Sequence, residues 1–241
     1  MSIFGGVGSW LVDPANWSGA NGIPTRVGEH LWYTLLALVI AAVIALPLGL
    51  VLGHTHRGGV LVLSAANTIR ALPTLGLLTL VVIVSGVGLL PPLVALVAIA
   101  VPSMLINTFE GIRGVDPLLV DGARGMGLSE IRVLFRVEAP VALPLILLGV
   151  RLAAIQVVSA ATIAAYVGLG GLGRYIFDGL SLRQYAVVGG GATLAALLAI
   201  GTEALLVLLT GVALSPGVTR RPRPLTRLVA AATRSRFTRK A

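Results

Sequence analysis

The sequence has no cysteine, which excludes a disulfide framework and a thiolate metal site and leaves the redox compartment unread. Charge is also scarce, with only 11% of the 241 residues being Asp, Glu, Lys or Arg. A soluble domain of this length would have far too little polar surface, whereas a bundle of membrane helices would not. No G-x-x-x-x-G-K-[ST] occurs, so the chain does not itself supply a P-loop ATPase. The three histidines, His30, His54 and His56, lie at the ends of apolar runs, and five of the nine acidic residues fall between Glu110 and Glu138, in and just before one polar loop. No catalytic acid, base and nucleophile grouping emerges, and no metal-ligating set either.

What the sequence has is long apolar runs: hydrophobic residues make up 56% of it. Residues 31–53 are uncharged for 23 positions, enough at about 1.5 Å per residue to cross roughly 30 Å of hydrocarbon. Residues 71–109 also carry no charge, too long for one span, and the glycines and prolines of 86–92 divide them into two. The earlier of the two starts back near Val60 and carries Asn67 and Arg70, and Pro73 should kink or interrupt it. Residues 141–167 form a fourth span with Arg151 and Gln156, and 189–214 a fifth with Glu203. The expected fold is therefore all-α, an integral membrane protein of about five transmembrane helices.

Orientation follows from the basic residues. With an outside N-terminus, the inner segments hold thirteen of them and the outer segments three, Arg26, Arg174 and Arg183. That bias puts the C-terminus inside. Trp32, Tyr33, Tyr166, Tyr175 and Tyr185 then gather at the outer interface. The formal charge of +9 could suggest nucleic acid, but eight of the eighteen Lys and Arg residues lie after Val218. A basic cytoplasmic tail, 215–241, near anionic membrane lipid is the better reading, with no nucleic-acid partner. Residues 1–30 hold Trp10 and Trp17 without a basic n-region and apolar h-region. They read as an external loop or short interfacial helix, not a cleaved signal peptide. His54, His56 and Arg57 read as a hydrated basic turn.

The polar stretch between spans three and four, 115–140, is written in helix-boundary chemistry. Asp116 can accept from free backbone N–H groups and Pro117 suits the first helical position. A helix should end near Met126, because Gly127 can take the left-handed conformation, and Ser129 can cap a second helix running towards Pro140. Leu118, Leu119 and Met126 stand among Gly122, Ala123 and Gly125, small residues that let another surface approach. The segment reads either as a docking surface or as a solvated loop turned by its glycines.

Gly168-Leu-Gly170-Gly-Leu-Gly173 satisfies G-x-G-x-x-G, but that fingerprint needs a preceding strand inside a βαβ unit. Here it follows a membrane span, and an outer-face connection or close helix packing is expected in place of nucleotide binding. Asn67, Arg70, Pro73, Arg151, Gln156 and Glu203 are candidates for a translocation pathway. Polar groups in hydrocarbon are costly, about 2.5 to 3.5 kcal/mol for an arginine at a span centre. Snorkelling of the arginines, or pairing with Glu203, is the structural alternative.

Asp121-Gly122-Ala123, Gly127 and Val137-Glu138-Ala139-Pro140 resemble the EAA loop of the membrane subunits of bacterial ABC importers, with Asp121, Gly122 and Ala139 where Glu, Ala and Leu are usual. Arg70-Ala-Leu-Pro73-Thr-Leu-Gly, Leu143-Pro-Leu-Ile-Leu-Leu-Gly-Val-Arg151 and Gly168 to Gly173 look like the permeases of glycine betaine, carnitine and choline importers. That branch commonly has Gln and Thr where this chain has Arg70 and Ala71. The resemblance covers roughly 31–214 and implies a type I ABC importer permease.

In such a permease, Asp121, Gly122, Ala123, Arg124, Gly125, Met126 and Gly127 form a cytoplasmic coupling helix. The implied partners are ABC ATPase subunits, which would bind ATP and Mg, an extracytoplasmic solute-binding protein on a separate chain, and a second permease in a homodimer or heterodimer. The location implied is the bacterial cytoplasmic membrane, and no cofactor is expected in this chain. Quaternary ammonium is recognised by aromatic cages, and aromatics are only 5% here. The tight cage is therefore expected in the binding protein and weak selectivity in the pathway. Rival readings are a permease for an amino acid such as methionine, a secondary carrier, and a membrane anchor.

Overall fold

A computed structural model of the chain describes residues 3–86 and 88–213, and the basic tail lies outside them. The described residues form helices joined by turns, with no strand among them. A short helix, α1 (Ile3–Val12), and a 3-10 turn precede α2 (Ile23–His54). The helix α2 begins eight residues before the apolar run, because Gly22 is extended at its N-cap and a proline sits in its first turn. The polar first turns hold an Arg26–Glu29 ion pair of 2.8 Å, so part of the expected external segment belongs to the first span.

After a turn, α3 (Gly59–Ala71) and α4 (Thr74–Ser85) meet at a 90° bend. Pro73 stands at that bend as the N-cap of α4, so the predicted interruption is there. Then come α5 (Leu90–Arg113), α6 (Pro117–Gly125), α7 (Glu130–Val133), α8 (Ala139–Ala164), α9 (Gly173–Ser181) and α10 (Tyr185–Ala213). Among the described residues four helical stretches are long and apolar enough to cross a membrane, and the bent pair makes a fifth span if it crosses as one.

The helix α7 does not stop near Pro140. It continues through a π-helical stretch, 134–138, into α8. Pro140 has no N–H to offer, and its ring would collide with a carbonyl one turn back in a regular helix. The wider turn, closed by Ala139 N–H on Leu134 O, carries the helix past it. Ser129 sits at the N-cap position, but its side chain makes no cap bond and accepts from Arg132 instead.

The core is a helix sandwich built on small residues. Ala37, Ala41, Ala45, Gly49 and Gly53 form a buried stripe on α2, and Leu96, Ala100, Met104, Thr108 and Ile112 form one on α5. A Cβ on Gly49 would lie 2.7 Å from Thr108 Cβ, and one on Gly53 would lie 2.8 Å from Ile112 Cβ. The numbers rise together, so α2 and α5 run parallel and α3 with α4 carries the chain back between them. On the other side of α5, a Cβ on Gly149 would meet Asn107 at 2.8 Å and one on Gly111 would meet Leu145 at 3.1 Å, which makes α8 antiparallel. Lipid supplies no hydrophobic force between helices, so close backbone approach by small residues is what holds such a bundle.

Candidate functional site

Two places concentrate the expected functional residues. The first lies at the end of the bundle where α2 and α5 finish. Asp116 caps α6, its carboxylate accepting from Leu118 N–H at 2.9 Å, and Gly127 closes the helix at φ +79°. No atom comes within 4 Å of a Cβ built on Gly127, so backbone conformation and not space demands glycine there.

Val120 and Ala123 turn inward onto Val115 and Val133. On the opposite edge Leu118 is 79% and Met126 76% exposed, with Leu119 half exposed. Gly122 and Gly125 are open to approach from outside.

Asp121 is exposed, 3.6 Å from Arg124. Arg124 donates through Nε and Nη2 to both carboxylate oxygens of Glu130, at 3.0 and 2.9 Å, which holds its guanidinium above the usual arginine range. Glu130 also lies 3.1 Å from His54 Nε2, and the other ring nitrogen of His54 is 2.6 Å from Glu138. The expected hydrated turn is thus corrected for His54: it is packed between two carboxylates, and Glu138 is buried. These contacts tie the end of α2 to α7, to the start of α8 and, through Arg124, to α6. Sequence reading had no signal for them, since His54 and Glu138 are 84 residues apart. Among the described residues no group of three His, Cys, Asp or Glu could hold a metal.

The second place is a cavity of about 330 Å³ between the α3–α4 bend, α5 and α8. Arg70 and Gln156 both line it, joined through a residue that sequence reading missed. Arg70 Nη2 donates to Ser103 Oγ at 3.1 Å, and Ser103 Oγ donates to Gln156 Oε1 at 2.7 Å. Ser103 is fully buried. Asn67, one turn before Arg70, is exposed and lies outside the lining. Arg151 and Glu203 are elsewhere, bonded to one another between α8 and α10.

The glycine-rich segment is neither a loose connection nor a strand-helix turn. Gly171 N–H donates to Glu29 at 2.8 Å, and a Cβ on Gly173 would collide with Thr162 O. His30, expected at a span end, is buried inside α2, with Nε2 2.9 Å from Val158 O. The segment is a close-packed seam between α2 and α8 at the end opposite α6.

Residues 45–220 match the family described as "Binding-protein-dependent transport system inner membrane component". The chain belongs to that family. Over 175 residues this permease is 38% identical to the "Glycine betaine/carnitine/choline transport system permease protein OpuCB" of Bacillus subtilis (strain 168), covering 73% of this chain and 81% of that one. It is 36% identical to the "Carnitine transport permease protein OpuCB" of Listeria monocytogenes, covering 73% and 80%. Against the "Choline transport system permease protein OpuBB" of Bacillus subtilis (strain 168) it is 38% identical, covering 71% and 79%.

Among solved structures, a chain of the inward-facing MetNI methionine ABC transporter superposes with a TM-score of 0.69 at 23% identity, covering 82% of this permease and 96% of that chain. The likeness is one of fold, that of a type I ABC importer permease. The permease is a multi-pass membrane protein and a transport subunit.

Proposed function

We propose that the chain is the membrane subunit of an ATP-driven, binding-protein-dependent importer that carries a quaternary-ammonium compatible solute, such as glycine betaine, carnitine, choline or proline betaine, across the bacterial cytoplasmic membrane. The observation that carries the reading is α6: a short helix held on one edge by Val120 and Ala123, with Leu118, Leu119 and Met126 left exposed beside open glycines at one end of a membrane bundle. Family membership and the solutes named for the relatives supply the substrate class. Methionine is supported less, because the likeness to the methionine transporter is one of fold.

Arg57, Arg113, Arg124, Arg132 and Arg136 lie in the connections and helix ends around α6, which supports a cytoplasmic position for that end. ATPase subunits, binding ATP and Mg themselves, dock on α6. Movement of α6 reaches α7 through Arg124–Glu130 and α2 through Glu130–His54–Glu138, so it moves spans and not only a loop. A second permease completes the pathway, and an external binding protein delivers the solute to the end that carries the glycine seam.

Uptake of labelled glycine betaine and choline, measured in cells expressing the chain with its ATPase and binding protein, tests this against Gly127→Asp. ATPase-dependent uptake that the normally inserted variant loses is the expected result. Uptake that persists without the ATPase would make the chain a secondary carrier.

A further inference from the structure

The cavity beside the α3–α4 bend holds a charge that no acidic residue among the described ones answers. Arg70 closes the last turn of α3, one side of a 90° break. The two halves have 13 and 12 residues, about 20 and 18 Å at about 1.5 Å per residue, and neither alone crosses roughly 30 Å of hydrocarbon. In a span made of both, Arg70 sits near the middle. Arg151, midway along α8, has Glu203. Among the described residues no carboxylate forms an ion pair with Arg70.

Its setting is that of a receptor for an anion. One donor of the guanidinium is engaged by buried Ser103, which Gln156 holds in turn, so the side chain is steered along the cavity wall. The remaining N–H groups belong to a planar fork whose geometry matches a carboxylate. The helix α4 starts at Thr74 on the same wall with no side-chain cap, placing the positive end of a half-helix there. Ile69, Ile99, Ile155 and Ile163 make the rest of the wall largely apolar, and among the described residues no acidic or aromatic one lines it. A quaternary ammonium therefore finds neither a counter-charge nor an aromatic face, whereas a carboxylate finds a guanidinium that no carboxylate among the described residues has taken.

We infer that Arg70 binds the carboxylate of the solute during translocation, so that the pathway passes zwitterions carrying a carboxylate in preference to a cation without one. This rests on the proposed import function, and sharpens the expectation of weak selectivity: the pathway discriminates by the anionic end of the solute and not by the ammonium.

The test is uptake of glycine betaine and choline by the complete transporter, with its ATPase and binding protein in proteoliposomes. Both solutes are supplied at concentrations that saturate the binding protein, and rates are normalised to inserted permease. The wild type should carry glycine betaine at least about ten-fold faster than choline, the order of effect of one lost charge-assisted contact. Arg70→Gln should lower the glycine betaine rate about ten-fold and leave the choline rate unchanged or raised, so the ratio collapses. Arg70→Lys, which keeps the charge without the fork, should retain most of the ratio.

Equal falls for both solutes in Arg70→Gln, or a wild type that carries choline as fast as glycine betaine, would overturn the inference and leave Arg70 a structural residue or an ion-pair partner of another subunit. ATPase-dependent transport of neither solute by the wild type would instead sink the import reading itself.

Discussion

Arg151 in α8 donates from Nε to Glu203 in α10 across 2.7 Å, so the charge in one span is answered by the charge in the other. The pair fastens α10 to the bundle at a point away from the cavity of Arg70. Both side chains are about one-third exposed, and the second oxygen of Glu203 is buried without a hydrogen bond. The geometry favours fastening over contact with solute.

Removing one member of the pair should therefore cost protein before it costs transport. Arg151→Ala and Glu203→Ala each leave a charge without its partner, and the amount of permease in the membrane should fall several-fold, with uptake per inserted molecule nearly unchanged. The double replacement by leucine should recover much of the protein. Immunoblots of membranes alongside uptake check this. A loss of uptake in fully inserted Arg151→Ala would instead return Arg151 to the pathway.

His54 and Glu138 should behave as one unit. Replacing His54 by Ala strips the buried Glu138 carboxylate of its near partner, a change that costs about 1–3 kcal/mol where a buried group is left unsatisfied. A lower unfolding temperature of the detergent-solubilised permease is expected. Binding-protein-stimulated ATP hydrolysis should fall further than basal hydrolysis, because the link from α6 to α2 is cut. Combining His54→Ala with Glu138→Gln should cost less than the two changes added together.

The glycines of the α6 segment should separate by the reason each is glycine. Gly127→Ala puts a side chain in the left-handed region and should destabilise the turn by about 1–2 kcal/mol, while Gly127→Asn is better tolerated. Gly122→Ala is the opposite case. Gly122 has helical backbone and open space, so alanine should stabilise α6 by about 0.5–1 kcal/mol. If an ATPase surface closes on it, the same change weakens the complex. Co-purification of the ATPase, with thermal unfolding of the permease alone, reads both signs.

Gly173→Ala addresses the seam. Its Cβ would overlap Thr162 O, a backbone atom that cannot move aside cheaply. Severe loss of folded permease is expected, where Gly19→Ala, strained in its backbone but with nothing within 4 Å, should be milder. Fluorescence-detected size-exclusion chromatography distinguishes them, and equal behaviour would mean that the seam is looser than its geometry.

The spans, the start of α6 at Asp116 and Pro117, the turn at Gly127 and the break at Pro73 were all legible in the chain. Each is a local matter: the length of an apolar run, the first free N–H groups of a helix, one residue's allowed φ, a missing backbone donor. What tertiary structure alone decided is who meets whom across the bundle. Nothing in the spacing of His54 announced two glutamates from beyond α6, nor did Ser103, one hydroxyl in an apolar helix, announce that it would join Arg70 to Gln156. Arg151 and Glu203 were visible as costly charges, but only the antiparallel approach of α8 and α10 made them a pair and, among the described residues, left Arg70 without a carboxylate. Local backbone preferences act within a turn or two of chain, whereas a charge in a span is satisfied by whichever helix packs beside it.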